Sequence, residues 1–142
     1  MKVEDLMIGD LVTITEPDDF HGYIGKVVIT NAETNYITVH IPNMHLHDVF
    51  VEDLQPIPLT EEILKKNEYS YNETRDAWEL IPNNGFGICK DEDDNCFYFC
   101  LGIFDAFNSY SDITYHYITK VEYVHELQHS LKLCGIKKEI IL

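Results

Sequence analysis

The chain has 142 residues, 45% of them hydrophobic, and a formal net charge of −15 at pH 7. This length and apolar content allow one compact domain or two very small ones, and they exclude a disordered chain. The charge disfavours direct nucleic-acid binding, which needs a basic face to displace phosphate counterions.

The first residues, the hydropathy pattern and the cysteines predict a soluble cytoplasmic protein. The opening MKVEDLMIGD carries acids where a signal peptide needs a basic region, and no apolar run approaches the ~18 residues of a membrane span. In such a chain, cysteines are expected to be buried free thiols, and their spacing includes no C-x-x-C zinc signal. The four are Cys89, Cys96, Cys100 and Cys134.

Residues 1–58 alternate short β-favouring runs with turn signals, and short strands this closely spaced predict a small curled sheet or barrel. Gly22 and Gly25 permit the tight bends that such a barrel needs. The pattern predicts strands at Leu11–Ile14, Tyr23–Thr30, Tyr36–Ile41 and Val49–Val51.

The entry to the first strand, Leu6-Met7-Ile8-Gly9-Asp10-Leu11-Val12, resembles the "hydrophobic-x-x-Gly-Asp-x-Val" entry of SH3-like barrel modules. The resemblance implies an SH3-like β-barrel over residues 1–58. Gln55-Pro56-Ile57-Pro58 cannot continue a central strand, so it marks the boundary of this region.

A second, α+β region is predicted for residues 59–142. Thr60 is a good helix N-cap, Glu61 and Glu62 place negative charge in the first turn, and the helix should end near Asn67. A mainly antiparallel sheet should follow, with a turn at 82–85 and a hairpin tip at 91–95. Its predicted strands are 77–81, 86–90, 96–101 and 113–118.

A C-terminal helix is predicted over residues 120–134, with Gly135 as its left-handed cap and a last short strand at Lys137–Leu142. An apolar stripe at three- and four-residue spacings should face a sheet. The stripe comprises Val121, Val124, Leu127, Gln128, Leu131 and Cys134. The predicted fold class is therefore α+β, an SH3-like small barrel followed by a mainly antiparallel sheet with two helices.

Two segments, Pro56–Leu64 (PIPLTEEIL) and Tyr123–His129 (YVHELQH), resemble a family of short uncharacterised bacterial proteins, often encoded near prophages or other mobile elements. The resemblance covers most of residues 50–136 and implies a mobile-element origin, but it carries no activity. In that family the residue after the first histidine is often glutamine, and the second histidine is not fixed.

The segment His125-Glu126-Leu127-Gln128-His129 matches the H-E-x-x-H pattern of zinc peptidases. Two histidines at i and i+4 share a helix face and bind zinc, while the glutamate polarises the metal-bound water. A third ligand lacks support, because Glu139 is the only plausible downstream donor and His116 has no pattern behind it. We expect no metal, and interpret the two histidines as partly exposed residues beside the apolar stripe.

Two other polar clusters resemble cation sites only superficially. In Asp91-Glu92-Asp93-Asp94-Asn95, Cys96 replaces the sharp-turn glycine of an EF-hand and Gly102 its final glutamate, so a solvated hairpin tip is predicted. His45 and His47, which follow His40, could share a strand face and bind a metal, but nothing nearby completes a tetrahedral set. We predict a polar loop there.

The second half of the chain is rich in aromatic residues, which in strands usually fill a core. The alternative is a protein-recognition surface, where tyrosine is enriched. The residues concerned are Phe97, Phe99, Phe104, Phe107, Tyr110, Tyr115, Tyr117 and Tyr123.

The functional prediction is a non-catalytic interaction module that binds another protein, with no cofactor, no nucleic acid and no membrane. The first alternative is a zinc-dependent hydrolase using His125, Glu126 and His129. The second is an acidic DNA mimic that inhibits a host enzyme. The charge divides as −8 over residues 1–58 (2 basic, 10 acidic) and −7 over 59–142 (8 basic, 15 acidic), an even spread that favours a solubilising role. The sequence leaves the oligomeric state open.

Overall fold

The structure is a computed structural model that describes residues 2–31, 33–80, 85–91, 93–94, 96–104 and 113–142. The chain forms two compact units. The first comprises Met1–Pro58 and Tyr123–Ile136, and the second comprises Leu59–Glu122 and Lys137–Leu142. Within the described residues each unit has one five-stranded antiparallel sheet and one α-helix, so the predicted α+β class is confirmed at that level.

The sheet of the first unit has the order β4-β3-β2-β1-β5, with every neighbouring pair antiparallel. A single-turn 3-10 helix, Val51–Asp53, connects its last two strands. In the described residues the sheet is open, with β4 and β5 at its edges, so the closure expected of a barrel is not observed. The strands are β1 Leu11–Ile14, β2 Ile24–Asn31, β3 Tyr36–His40, β4 Leu46–Phe50 and β5 Leu54–Pro56.

Two strands of this sheet differ from the sequence prediction by more than one residue at an end. β4 begins at Leu46, because the chain pairs with β3 from the His40–Leu46 position onward, although only Val49 of this strand is buried. Leu54–Pro56 forms a short edge strand where a boundary was expected. Proline has no backbone N–H to donate. An edge strand tolerates this at Pro56, because one side of an edge strand has no neighbouring strand to bond.

The core of the first unit lies on one face of this sheet and is aliphatic. Gly25 allows close packing there, because a Cβ at this position would lie 3.0 Å from the Cβ of Val39, closer than an ordinary van der Waals contact. The buried cluster comprises Val3, Leu6, Val12, Ile14, Val27, Ile37, Val39, Ile41, Val49 and Leu54.

Helix α2, Val124–Leu133, also belongs to the first unit. The predicted start at residue 120 is wrong, because Lys120 and Val121 pair with β9 as the end of a strand. The Gly135 cap is confirmed, with φ +71° and a hydrogen bond of 2.8 Å from the Ile136 N–H to the Leu131 carbonyl.

The side chain of Gln128 ties α2 to the first strand. Its amide oxygen accepts from the Leu11 N–H at 3.1 Å, and its amide nitrogen donates to the Gly9 carbonyl at 3.1 Å. Pro58 and Tyr123 form an isolated antiparallel bridge where the chain leaves and re-enters the unit. The sequence had assigned this helix to region 59–142, but these contacts join it to residues 1–58.

The second unit begins with α1, Glu61–Lys66, and Thr60 caps it as predicted, accepting from the Ile63 N–H at 3.3 Å. Its sheet has the order β10-β9-β8-β7-β6. Ile81 and residues 82–84 of the turn predicted at 82–85 lie outside the described residues. The strands are β6 Ser70–Asn72, β7 Ala77–Glu79, β8 Phe86–Lys90, β9 Phe97–Phe104 and β10 Ile113–Val121.

The predicted strand at Lys137–Leu142 is wrong, because this segment has no strand pairing. It is held instead by Asn67, a buried residue whose side chain bonds the N–H of Ile141 at 2.8 Å and its carbonyl at 2.7 Å. One amide side chain thus satisfies the backbone that a ladder partner would otherwise have bonded.

The four cysteines are free thiols, as predicted, but the predicted burial is confirmed only for Cys89 and Cys100, because Cys96 and Cys134 are half-buried. In the part of the chain that the structure describes, no helix has the length and apolar character needed to cross a bilayer.

Candidate functional site

A cleft of about 550 Å³ lies at the start of α2 in the first unit. It brings together all three residues of the H-E-x-x-H segment and two acids from the beginning of the chain. Its lining comprises Glu4, Asp5, Met7, Pro56, Tyr123, His125, Glu126 and His129. Sequence reasoning found the helical residues of this site but missed the N-terminal acids, whose position depends on a contact between distant parts of the chain.

The two N-terminal acids are held by a single-turn 3-10 helix, Val3–Asp5. Val3 is buried in the aliphatic core, whereas Glu4 and Asp5 are exposed. The Asp5 carboxylate accepts from the Lys2 N–H at 3.0 Å, which closes the turn. Apolar anchoring of this turn therefore presents two carboxylates to the cleft.

His129 is fixed by a buried carboxylate. Its Nε2 lies 2.8 Å and 2.9 Å from the two carboxylate oxygens of Asp10, one of which also accepts from the Met7 N–H at 2.7 Å. Asp10 is buried and His129 is half-buried. This pairing occupies one ring nitrogen of His129 and fixes the orientation of its imidazole.

His125 is buried, with 6% of its surface exposed, so the prediction of a partly exposed residue is wrong at this position. Its Nδ1 has no hydrogen-bond partner among the described residues. Burial lowers the pKa of His125, and although the Asp10 and Glu126 carboxylates oppose this effect, the net shift is downward. The imidazole is therefore neutral at pH 7.

The wall of the cleft at the helix start is aromatic and acidic. The rings of Tyr123 and His125 are nearly parallel, with 5.8 Å between centroids and 12° between planes. Glu126 caps the helix, because its Oε2 accepts from the Tyr123 N–H at 3.1 Å. Near-parallel rings beside carboxylates are an arrangement suited to an organic cation.

Metal chemistry has no geometric support here. The described residues contain no group of three or more His, Cys, Asp or Glu side chains that could hold a metal ion. The ring centroids of His125 and His129 lie 5.7 Å apart in an edge-to-face arrangement, and His129 is paired with Asp10. The glutamate that would act as the base of a zinc peptidase bonds the backbone of its own helix instead.

The other polar clusters predicted from the sequence have local roles. The Asp94 carboxylate accepts from the Tyr98 hydroxyl at 2.8 Å and the Cys96 N–H at 3.0 Å; Glu92 and Asn95 lie outside the described residues. His45 lies in a loop, as predicted, but His47 belongs to β4. Its ring packs against the Phe20 ring, with 4.4 Å between the centroids.

The aromatic residues of the second unit divide between core and surface. Phe97 and Phe99 are buried, whereas Tyr117 is 52% exposed. Its ring stacks on that of Tyr98, with 4.6 Å between the centroids. The Tyr115 hydroxyl donates to the buried Glu79 carboxylate at 2.7 Å. The Phe104 side chain, Phe107 and Tyr110 lie outside the described part of the chain.

Comparison with family models, with curated proteins and with solved structures finds no match for this chain. The resemblances to SH3-like modules and to proteins of mobile elements therefore stay predictions. The cleft is the feature from which a function can be inferred.

Proposed function

We propose that the protein is a non-catalytic interaction module, and that it binds a basic segment of another protein in the cleft. The observation that carries this proposal is the cleft's composition. Glu4, Asp5 and Glu126 contribute three carboxylates to one concave surface, next to an aromatic wall. A concave acidic surface favours cationic groups, and aromatic faces add cation–π attraction.

The charge of the whole chain supports the same partner. A formal charge of −15 attracts a basic protein during encounter, whereas the cleft supplies the short-range contacts that hold it. If the net charge governs encounter in this way, salt should slow association with a basic partner, because exposed charges are screened over about 8–10 Å at physiological ionic strength.

An SH3-like classification of the first unit is part of this proposal. The order β4-β3-β2-β1-β5 and the 3-10 turn Val51–Asp53 before β5 support it. Small β-modules of this kind serve many unrelated functions, so the classification does not itself identify a ligand. A mobile-element origin is proposed on the sequence resemblance alone.

The proposal is tested with a fluorescein-labelled, eight-residue peptide in which serine alternates with an equal mixture of lysine and arginine. Fluorescence anisotropy should show saturable binding at low salt that weakens steeply between about 0.05 and 0.5 M NaCl. Combining Glu4→Gln, Asp5→Asn and Glu126→Gln should weaken binding by about tenfold or more, since each lost charge-assisted contact carries ~1.5–3 kcal/mol. The amide oxygen that Glu126→Gln introduces can still accept from the Tyr123 N–H, so the helix cap is kept.

The matched control removes the same charge elsewhere in the first unit. Glu16, Glu33 and Glu52 are exposed and do not line the cleft. Their triple replacement by glutamine changes the net charge from −15 to −12, as the cleft variant does. Binding within about twofold of wild type would support the cleft. A tenfold loss here as well would overturn it in favour of the acidic DNA mimic, whose charge acts as a whole.

A further inference from the structure

We infer that the cleft selects arginine over lysine, with a guanidinium stacked on the Tyr123 wall and donating to His125. This inference rests on the proposed function and specifies its ligand. Two observations carry it. The Tyr123 and His125 rings are nearly parallel, and the Nδ1 of the buried His125 imidazole, a residue that lines the cleft, has no hydrogen-bond partner among the described residues.

His125 Nδ1 is the group that needs a ligand. A buried polar atom without a partner is destabilising, and such atoms in folded proteins call for an explanation. The neutral imidazole carries one nitrogen able to accept a hydrogen bond. Rotation of the ring about its second side-chain torsion, which is broadly two-fold in histidine, exchanges Nδ1 with Cδ2. Because Nδ1 is buried in the present ring orientation, this rotation must turn it toward the cleft before an N–H donor of the ligand can bond it.

The carboxylates determine the charge of that donor. Glu4 and Asp5 approach from the N-terminal turn and Glu126 from the helix, so donors on the ligand meet acceptors from two directions. A guanidinium presents five N–H groups in a rigid plane, enough to bond a carboxylate in bidentate fashion and an imidazole nitrogen at the same time.

Lysine fits the same site less well. Its ammonium group is a compact, strongly hydrated point charge that cannot stack on a ring in the way a planar guanidinium does. Placing the ammonium against the buried His125 would remove water from it on that side, where the imidazole offers a single nitrogen as acceptor. Both side chains meet the same carboxylates, so the discrimination should come from the hydrogen bond to His125, for which stacking on Tyr123 positions the guanidinium.

The test compares two serine-alternating peptides of equal length and charge, one with four arginines and one with four lysines. The arginine peptide should bind about tenfold more tightly at the same salt concentration, the expected contribution of one charge-assisted hydrogen bond. His125→Leu should reduce arginine binding to the lysine level and leave lysine binding within about twofold.

A conservative replacement separates the hydrogen bond from the shape of the site. His125→Asn places an amide oxygen on the same carbon that carries Nδ1, so it should retain an arginine preference that His125→Leu loses. His45→Leu, an exposed histidine outside the cleft, is the control and should leave both affinities unchanged. In the wild type, the ¹⁵N chemical shift of His125 Nδ1 should move with the arginine peptide and not with the lysine peptide.

Equal affinities for the two peptides would overturn the arginine assignment and leave the proposed function standing. The same would follow if His125→Leu weakened both peptides equally. If neither peptide binds, or if binding survives neutralisation of the cleft carboxylates, the proposed function itself fails.

Discussion

His125 illustrates at the residue scale how a binding site differs from a core. A core position buries apolar atoms and satisfies its polar ones, whereas this side chain is buried with Nδ1 unpartnered among the described residues. His129, one turn along α2, differs, because its Nε2 is paired with the Asp10 carboxylate. We therefore interpret His129 as a structural residue, and His125 as the residue of the pair that we propose to contact a ligand.

This difference predicts how stability depends on pH. Burial lowers the pKa of His125 in the folded protein, with Asp10, Asp5, Glu126 and His129 as the charged or titratable neighbours. Below an ordinary histidine pKa of about 6.5 the unfolded chain binds the proton first, so protonation favours unfolding. The free energy of unfolding should therefore fall as the pH drops below about 6.5, until the folded pKa is passed.

Urea denaturation of wild type and His125→Leu between pH 5 and 8 measures this effect. At pH 7 the two should differ by no more than about 1 kcal/mol, because leucine removes an unpartnered polar atom along with some packing. On acidification the wild type should lose stability relative to the variant. If the difference between them stays constant with pH, His125 does not titrate as the structure indicates.

At the scale of elements, the sequence predicted what depends on neighbouring residues. The Thr60 cap, the Gly135 stop and the strand Leu11–Ile14 follow from local chemistry, and the structure has all three. The start of α2 was misplaced because Val121 fits a helical stripe equally well, and only pairing with β9 decides that it is a strand residue. Periodicity cannot reveal a partner that is distant in the chain.

The sequence predicted the helical residues of the candidate site but not the residues that distant parts of the chain bring to it. His125, Glu126 and His129 occur together in one short segment, so a spacing pattern identified them. Asp10 and the N-terminal acids meet these residues only through contacts that span more than a hundred positions. The burial of His125 likewise depends on neighbours brought together by the fold.

Helix α2 offers a paired test of which face is packed. Leu127 has no exposed surface and Leu133, in the same helix, is 82% exposed. Leu127→Ala should lower the free energy of unfolding by about 2–5 kcal/mol, because it leaves a cavity. Leu133→Ala should change it by no more than about 0.5 kcal/mol. Urea denaturation at pH 7 measures both, and similar losses would contradict the assignment of the helix face.

At the scale of the whole molecule, the first unit is discontinuous in sequence. Residues 1–58 supply its sheet and residues 123–136 its helix, joined at the Pro58–Tyr123 bridge. The cleft depends on this arrangement, because Glu4 and Asp5 come from one segment, and Glu126 and the histidines come from the other. A boundary at residue 58 alone would separate the two halves of the proposed binding site.

The discontinuity predicts how fragments behave. Residues 1–58 alone should be largely unfolded, because they lack Leu127, Leu131 and the two Gln128 hydrogen bonds, and a chain this short has little core to lose. Joining 1–58 to 123–136 through a short glycine–serine linker should restore a folded unit, since the bridge holds the two chain ends together.

Circular dichroism and the dispersion of ¹H–¹⁵N NMR spectra distinguish the two fragments. The linked form should melt cooperatively and bind the basic peptide with an affinity within about tenfold of the full chain. A linked form with the residues of segment 123–136 in scrambled order controls for length and composition, and it should behave like residues 1–58 alone. If residues 1–58 alone gave dispersed spectra and the same melting temperature as the linked form, α2 would not be an integral part of this unit. Peptide binding by residues 1–58 alone would show that His125 is not needed for binding, because this fragment lacks His125.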